Sequence, residues 1–159
     1  MKILIEKLIK QILEKEKFID YLEIFREFRL DGLKTAAFLI SQIYPLSQFL
    51  GGNNTPIVEK AQTDGGRLAT HRISENRFKA KLACAPTRDF SGKSQKFRKR
   101  GNAEIRLLLW QWHFRAVEKI SGRPDSEVGH KMGEYWDKGR ASGVPVKKLR
   151  AKSRSKAMI

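Results

Sequence analysis

The sequence predicts a mainly α-helical protein: a long N-terminal coiled-coil helix, a small helical domain with a helix–hairpin–helix-like element, and a basic C-terminal tail. Three observations lead there. Apolar residues recur at three- and four-residue steps over two long stretches, Ile5 to Leu22 and Ile105 to Ile120. No alternating apolar and polar run is long enough to build a sheet. Asp31-Gly32, Pro45 and Ser121-Gly122-Arg123-Pro124 cut the chain where those periodic stretches stop.

Residues 1–29 read as the first unit, with one helix over about 3–29. Ile5, Leu8, Ile12, Ile19 and Leu22 form the seam, and Lys15 is its one break. Ile9, Leu13, Phe18 and Phe25 widen the apolar stripe, while Lys7, Lys10, Glu14 and Lys17 alternate in sign on the polar face. A helix cannot bury such a stripe by itself, so the pattern calls for a partner helix in this chain or another. Asp31-Gly32 breaks it. A second helix starts near Thr35, with Ala36, Ala37, Leu39, Ile40, Ile43 and Tyr44 as its apolar side, and stops at Pro45.

Residues 50–72 are polar and Gly-rich and read as a loop or insertion within a domain of residues 30–146. A short helix covers Glu75 to Leu82 with Ser74 as its N-cap, and 83–101 is irregular and very basic. Asn102 caps the next helix, predicted to reach Ile120. There Ile105, Leu108, Leu109, Trp112, Ala116 and Ile120 make the strongest core stripe of the chain. Trp112 lies on that stripe; Trp110 lies off it and can stack on a base or pack on another helix. A last helix, Asp125 to Arg140, carries Val128, Met132, Tyr135 and Trp136. Residues 147–159 read as a helix end fraying into a basic tail.

Charge narrows the function. The chain of 159 residues has 33 Lys+Arg against 17 Asp+Glu, a net +16. Residues 1–76 carry 11 basic and 10 acidic residues, whereas 77–159 carry 22 and 7, a net +15 in the second half. A generally solvated surface would spread that excess; its concentration points to a polyanion, DNA or RNA before an anionic membrane. Cys84 is the single cysteine, which excludes an intrachain disulfide and a cysteine metal cluster. His71, His113 and His130 lack metal-ligand spacing and read as surface, stacking or phosphate-contacting residues. The start is a poor signal peptide and no stretch reaches a membrane span, so a cytoplasmic, nucleoid-associated protein is expected.

Gly92-Lys93-Ser94 looks like the end of a phosphate loop, but that motif needs glycine where Thr87 stands, and the nucleotide-binding reading fails. Lys93, Lys96, Arg98, Lys99 and Arg100 can bind several phosphates, each of which steepens the salt dependence of affinity by roughly one unit. Ser91 beside Gly92 fits a phosphate-contacting turn; as a nucleophile it needs a base or a metal to activate it.

The order of segments resembles the C-terminal domain of the insertion-sequence 110/116/902 transposases, a DEDD-type, RuvC-like family. Leu30-Asp31-Gly32-Leu33-Lys34-Thr35-Ala36-Ala37 stands where that family has a Gly-containing hairpin and Thr-Ala-Ala. Phe78, Leu82 and Pro86 follow its Phe-x-x-x-Leu-x-x-x-Pro helix, then come Ser91-Gly92-Lys93, Lys99-Arg100-Gly101-Asn102 and Arg106-Leu107. Tyr135, Gly143-Val144-Pro145 and Lys147-Lys148 complete the order.

The resemblance implies roles. Ser91 would attack a DNA phosphodiester and hold a covalent phosphoserine intermediate. Gly32 and Lys34 would belong to a helix–hairpin–helix element that grips phosphate through backbone amides. Gly92, Lys93, Lys96, Arg98, Lys99, Arg100, Asn102, Arg106, Lys147 and Lys148 would contact DNA or RNA, a structured guide RNA being the second polyanion the family uses. Two departures stand. The family's catalytic acids and Mg2+ belong to an N-terminal RuvC-like domain, so no cofactor is expected on this chain, which would be a truncated or split transposase. The first hairpin glycine is Leu30 here. Partnering through the N-terminal helix, with a second copy or a RuvC-like domain, follows from its uncovered stripe. The alternative is a non-catalytic basic DNA- or RNA-binding module.

Overall fold

A computed structural model describes residues 2–62, 65–91, 94–99 and 101–157. The chain is mostly helical, as the periodicity predicts, but the first helix is two. Helix α1 runs Lys2–Leu13, a 3-10 turn covers Glu16–Phe18, and α2 runs Ile19–Glu27. The break falls at Lys15, whose backbone is extended (φ −68°, ψ 139°). A lysine at a seam position cannot enter the core, and bending there buries Leu13 and Phe18 on either side of it. The single coiled-coil helix over 3–29 is therefore corrected.

Helix α2 also ends earlier than Asp31-Gly32. Arg29 adopts a left-handed conformation (φ 55°), Leu30 N–H donates to Phe25 C=O at 2.7 Å, and Leu30 is buried. That is a left-handed helix C-terminus with its apolar contact, made here without glycine. Helix α3, Leu33–Ile43, begins at Gly32 as its N-cap and buries Ala36, Leu39, Ile40 and Ile43, the predicted stripe. It packs against α1 and α2.

Two antiparallel hairpins correct the expectation of unbroken loops. Strands β1 (Val58–Gln62) and β2 (Leu68–Arg72) lie in the segment read as a loop, paired from Val58 opposite Arg72 to Gln62 opposite Leu68. Helix α4 (Ile73–Lys81) follows directly. Ser74 is its second residue, not its cap: its Oγ accepts from Ile57 N–H at 2.7 Å and ties the first hairpin to the helix. Strands β3 (Pro86–Ser91) and β4 (Ser94–Lys99) form the second hairpin in the basic region read as irregular.

Helix α5 (Ala103–His113) is capped by Asn102, whose side chain accepts from Glu104 N–H at 2.7 Å, as predicted. Ile105, Leu109 and Trp112 are buried, and the indole N–H of Trp112 donates to Phe28 C=O, fastening α5 to the end of α2. The helix then widens into a π turn over Phe114–Glu118. The wider turn shifts the phase of the stripe. Ala116 and Val117 go inward, and Ile120, predicted in the core, is 77% exposed. Helix α6 (Glu127–Ala141) is capped by Ser126, which accepts from Gly129 N–H and donates to Glu27 C=O at 2.8 Å.

The last segment is not a fraying tail. Helix α7, Val146–Ala157, lies against α5 and α6 and buries Leu149 and Ser153, one turn apart. Among the described residues no helix is long and apolar enough to cross a membrane.

Candidate nucleic-acid interface

The sequence-predicted basic residues fall in three places. The first is the hairpin β3–β4. Its base is the junction of α4 and α5, closed by Gly101 at φ 90°. A Cβ there would stand 2.8 Å from Ala83 Cβ and 3.2 Å from Ala80 C=O, so both the dihedral and the space require glycine. Arg106 reaches back to the same point, its Nη1 donating to Gly101 C=O at 2.7 Å. Asn102, the next residue, is engaged as the cap of α5. The Gly-Asn pair thus has a structural task at the hairpin base. Ser91 ends β3 opposite Ser94; Lys96 lies opposite Asp89, Arg98 opposite Thr87 and Lys99 opposite Pro86. Gly92, Lys93 and Arg100 lie outside the described residues.

The second place is the start of α3. Gly32 C=O accepts from Ala36 N–H at 2.8 Å, and Lys34 sits in the first turn with its ammonium 3.1 Å from Glu6 of α1. Lys34 remains 64% exposed, so the pair is a solvated one of little energetic weight.

The third place is α7, Val-Lys-Lys-Leu-Arg-Ala-Lys-Ser-Arg-Ser-Lys-Ala, without one acid. Lys147, Lys148 and Lys152 are exposed. Arg150 turns inward, its Nε and Nη2 on the two carboxylate oxygens of Glu118 at 2.6 and 2.7 Å. Burial pushes the Glu118 carboxyl up, but the bonds from Arg150 and His113 outweigh it and hold the group below the usual range. Arg150 is raised, first by its bond to Glu118. His113, read from sequence as a surface, stacking or phosphate-contacting group, is 1% exposed: Nδ1 lies 3.1 Å from Glu118, and the ring meets Trp136 edge to face at 5.1 Å. Burial pushes its imidazole below the ordinary range against the pull of Glu118.

Beside this network lies a feature the sequence left open. Trp110 and Phe114, 42% and 48% exposed, are stacked with ring centroids 6.1 Å apart and planes at 11°. The Arg150 guanidinium lies 5.9 Å from the Trp110 ring. An arginine forty positions away in sequence gives no local signal of that contact.

Several acids among the described residues are held in ion pairs. Glu6 pairs with Lys34, Glu75 with Arg72 and Lys79, Glu118 with Arg150, and Asp137 with Arg123. Among the described residues no three of His, Cys, Asp and Glu converge on a metal position. Comparison with known proteins gives no match to a family model, a curated protein or a solved structure.

Proposed function

We propose that this chain binds DNA as the C-terminal, DNA-handling part of an insertion-sequence transposase, with Ser91 as the nucleophile of strand exchange. The observation that carries the binding half is the net +15 of residues 77–159, the largest single share of it on α7, a helix with six bases and no acid. Exposed lysines on a rigid helix meet successive phosphates without reading sequence. The catalytic half rests on the resemblance and on the position of Ser91 at the end of β3, remote in register from the hairpin base at Pro86 and Lys99.

In this reading the Ser91 hydroxyl displaces a sugar oxygen from a DNA phosphodiester and holds the phosphate as an ester. The resemblance puts the family's metal-binding acids in a RuvC-like domain, so in this reading the activating acidic domain comes from another polypeptide segment. The apolar side chains Ile3, Leu4, Ile5, Leu8 and Ile12 are about half exposed or more on α1, a surface suited to a second copy or to that domain. A structured guide RNA is the other polyanion this surface would accept.

Two measurements test the proposal. Duplex DNA affinity is followed against salt for the wild type and for Lys147→Ala/Lys148→Ala/Lys152→Ala; the variant loses up to about three units of slope. An unchanged slope removes α7 from the interface. For Ser91, a RuvC-like acidic domain is supplied and cleaved DNA is run on a denaturing gel. A covalent adduct that persists in Ser91→Ala refutes the nucleophile and leaves the second reading, a non-catalytic binding module. That reading is favoured by the pairing of Glu6, Glu75 and Glu118 with cations.

A further inference from the structure

We infer that Trp110 and Phe114 form a stacking platform for an unpaired nucleobase, flanked by the basic face of α7. The proposal rests on the nucleic-acid reading above and names the ligand that one patch of the surface takes.

Residues four apart on a helix share a face, and here that face points away from the core. The neighbouring core positions Leu109 and Trp112 are 1% and 2% exposed, whereas Trp110 and Phe114 are 42% and 48% exposed. Two large rings left in water side by side are costly unless something covers them. Their planes differ by only 11°, so a flat group stacked on one ring lies nearly parallel to the other. Flat groups of that kind include nucleobases, tryptophan side chains and the guanidinium of arginine.

The surroundings choose among them. Arg150 stands against the Trp110 ring at 5.9 Å, and α7, which carries it, has six basic residues and no acid. A second copy of this chain would bring the same charge to the contact and be repelled. A polyanion with exposed bases is complementary on both counts: phosphates face the lysines of α7 while a base covers the rings. A fully paired duplex keeps its bases stacked inside and offers only the phosphates.

The platform is also held in place. Arg150 is fixed by two bonds to Glu118, which the π turn brings back toward His113, five residues earlier. That clasp makes Arg150 a positioning residue: it sets one edge of the platform instead of swinging freely in solvent.

The test uses the full chain and three fluorescent oligonucleotide probes: a twenty-nucleotide oligo-dT, the matching oligo-rU and a duplex DNA of the same length. Wild type binds the single strands and the duplex. Trp110→Ala weakens oligo-dT or oligo-rU binding by roughly 5- to 150-fold, the range that loss of one aromatic stack produces, while duplex affinity stays within about twofold. Binding also quenches tryptophan emission, since Trp112 and Trp136 are 2% and 6% exposed and only Trp110 of the three is open to a ligand. Trp110→Phe restores most of the affinity. Whichever single strand shows the loss identifies the ligand as DNA-like or RNA-like. If Trp110→Ala leaves both single strands unchanged while duplex DNA still binds, the platform is wrong and the nucleic-acid reading survives. If neither strand nor duplex binds wild type, both fail. A variant that dissociates a dimer in sedimentation without changing single-strand affinity overturns the platform in favour of a protein contact.

Discussion

Gly139→Ala reports on how the last helix is held. A Cβ at Gly139 of α6 would fall 2.4 Å from Leu149 Cδ1, 2.9 Å from Cδ2 and 3.3 Å from Cγ. Leu149 is 2% exposed, so its side chain has no solvent to swing into. Forcing a methyl into such a contact costs about 1–3 kcal/mol, offset by roughly 0.5–1 kcal/mol from replacing glycine inside a helix. The single variant is destabilised by about 1–2 kcal/mol on balance. Leu149→Ala costs about 2–5 kcal/mol by emptying the same space. It removes the three atoms that clash and no others. In that background Gly139→Ala keeps the helix gain, fills part of the cavity and becomes stabilising by about 0.5–1 kcal/mol. The effect of one methyl thus reverses sign. Urea unfolding of the four proteins, followed by far-ultraviolet circular dichroism at one pH, measures the cycle. Effects of Gly139→Ala that agree within about 0.5 kcal/mol in both backgrounds would show the two sites to be independent and α7 to be a detached tail.

Acidification probes the buried imidazole. His113 has a folded value lowered from 6.5, so the unfolded chain binds a proton the folded chain does not. That stability is complete above pH 6.5 and is lost as pH falls through 6.5 toward the folded value, at up to about 1.4 kcal/mol per pH unit. Urea midpoints between pH 7.5 and 5.5 follow this slope and flatten in His113→Asn; an equal slope in the variant assigns it elsewhere. Glu118, lowered from 4.5, adds its own loss only below that pH. Ser126→Ala removes both the cap of α6 and the bond to Glu27 C=O, for a loss of about 1–2 kcal/mol in the same assay, and Ser126→Thr retains most of it. Burial pushes the Cys84 thiol up to about 11 from 9.0. A disulfide reagent at pH 8 therefore meets about 100-fold less thiolate in the native protein than in urea, and equal rates in the two states contradict the burial.

What the sequence made legible follows from how each element is stabilised. Helices α3, α5 and α6 each bury one stripe, and Ala36, Leu39, Ile40, Ile43, Ile105, Leu109, Trp112 and Trp136 stand where periodicity puts them. The hairpin β1–β2 hides because nearly all of it is exposed: its register rests on backbone bonds, and no alternation of side chains is needed to form it. Helix α7 hides behind its own charge. Leu149 and Ser153 are the buried positions among six cations, too few for a stripe to stand out. Ile120 is misplaced by a π turn that no propensity signals, and the same turn matches His113 to Glu118 at a spacing of five. Of the candidate site, the basic residues were legible as a class. Their division into structural and solvent-facing groups was not, since it depends on partners such as Glu118 and Arg150, thirty-two residues apart.

That division makes the net charge an overestimate of the charge a ligand meets. Arg123 donates to both oxygens of Asp137 and to Val117 C=O, and Arg150 to both oxygens of Glu118. A guanidinium fork is needed at both sites, because an ammonium cannot make two parallel bonds at fixed spacing. Arg150→Lys preserves the formal charge of α7 and breaks the fork, while Lys147→Ala/Lys148→Ala removes charge that pairs with no acid among the described residues. The first variant loses about 1–3 kcal/mol of stability and leaves the salt slope of duplex binding unchanged. The second keeps its stability and loses up to about two units of slope. If Arg150→Lys lowers the slope as far as the lysine pair does, the arginine meets phosphate directly and the clasp with Glu118 opens when nucleic acid arrives.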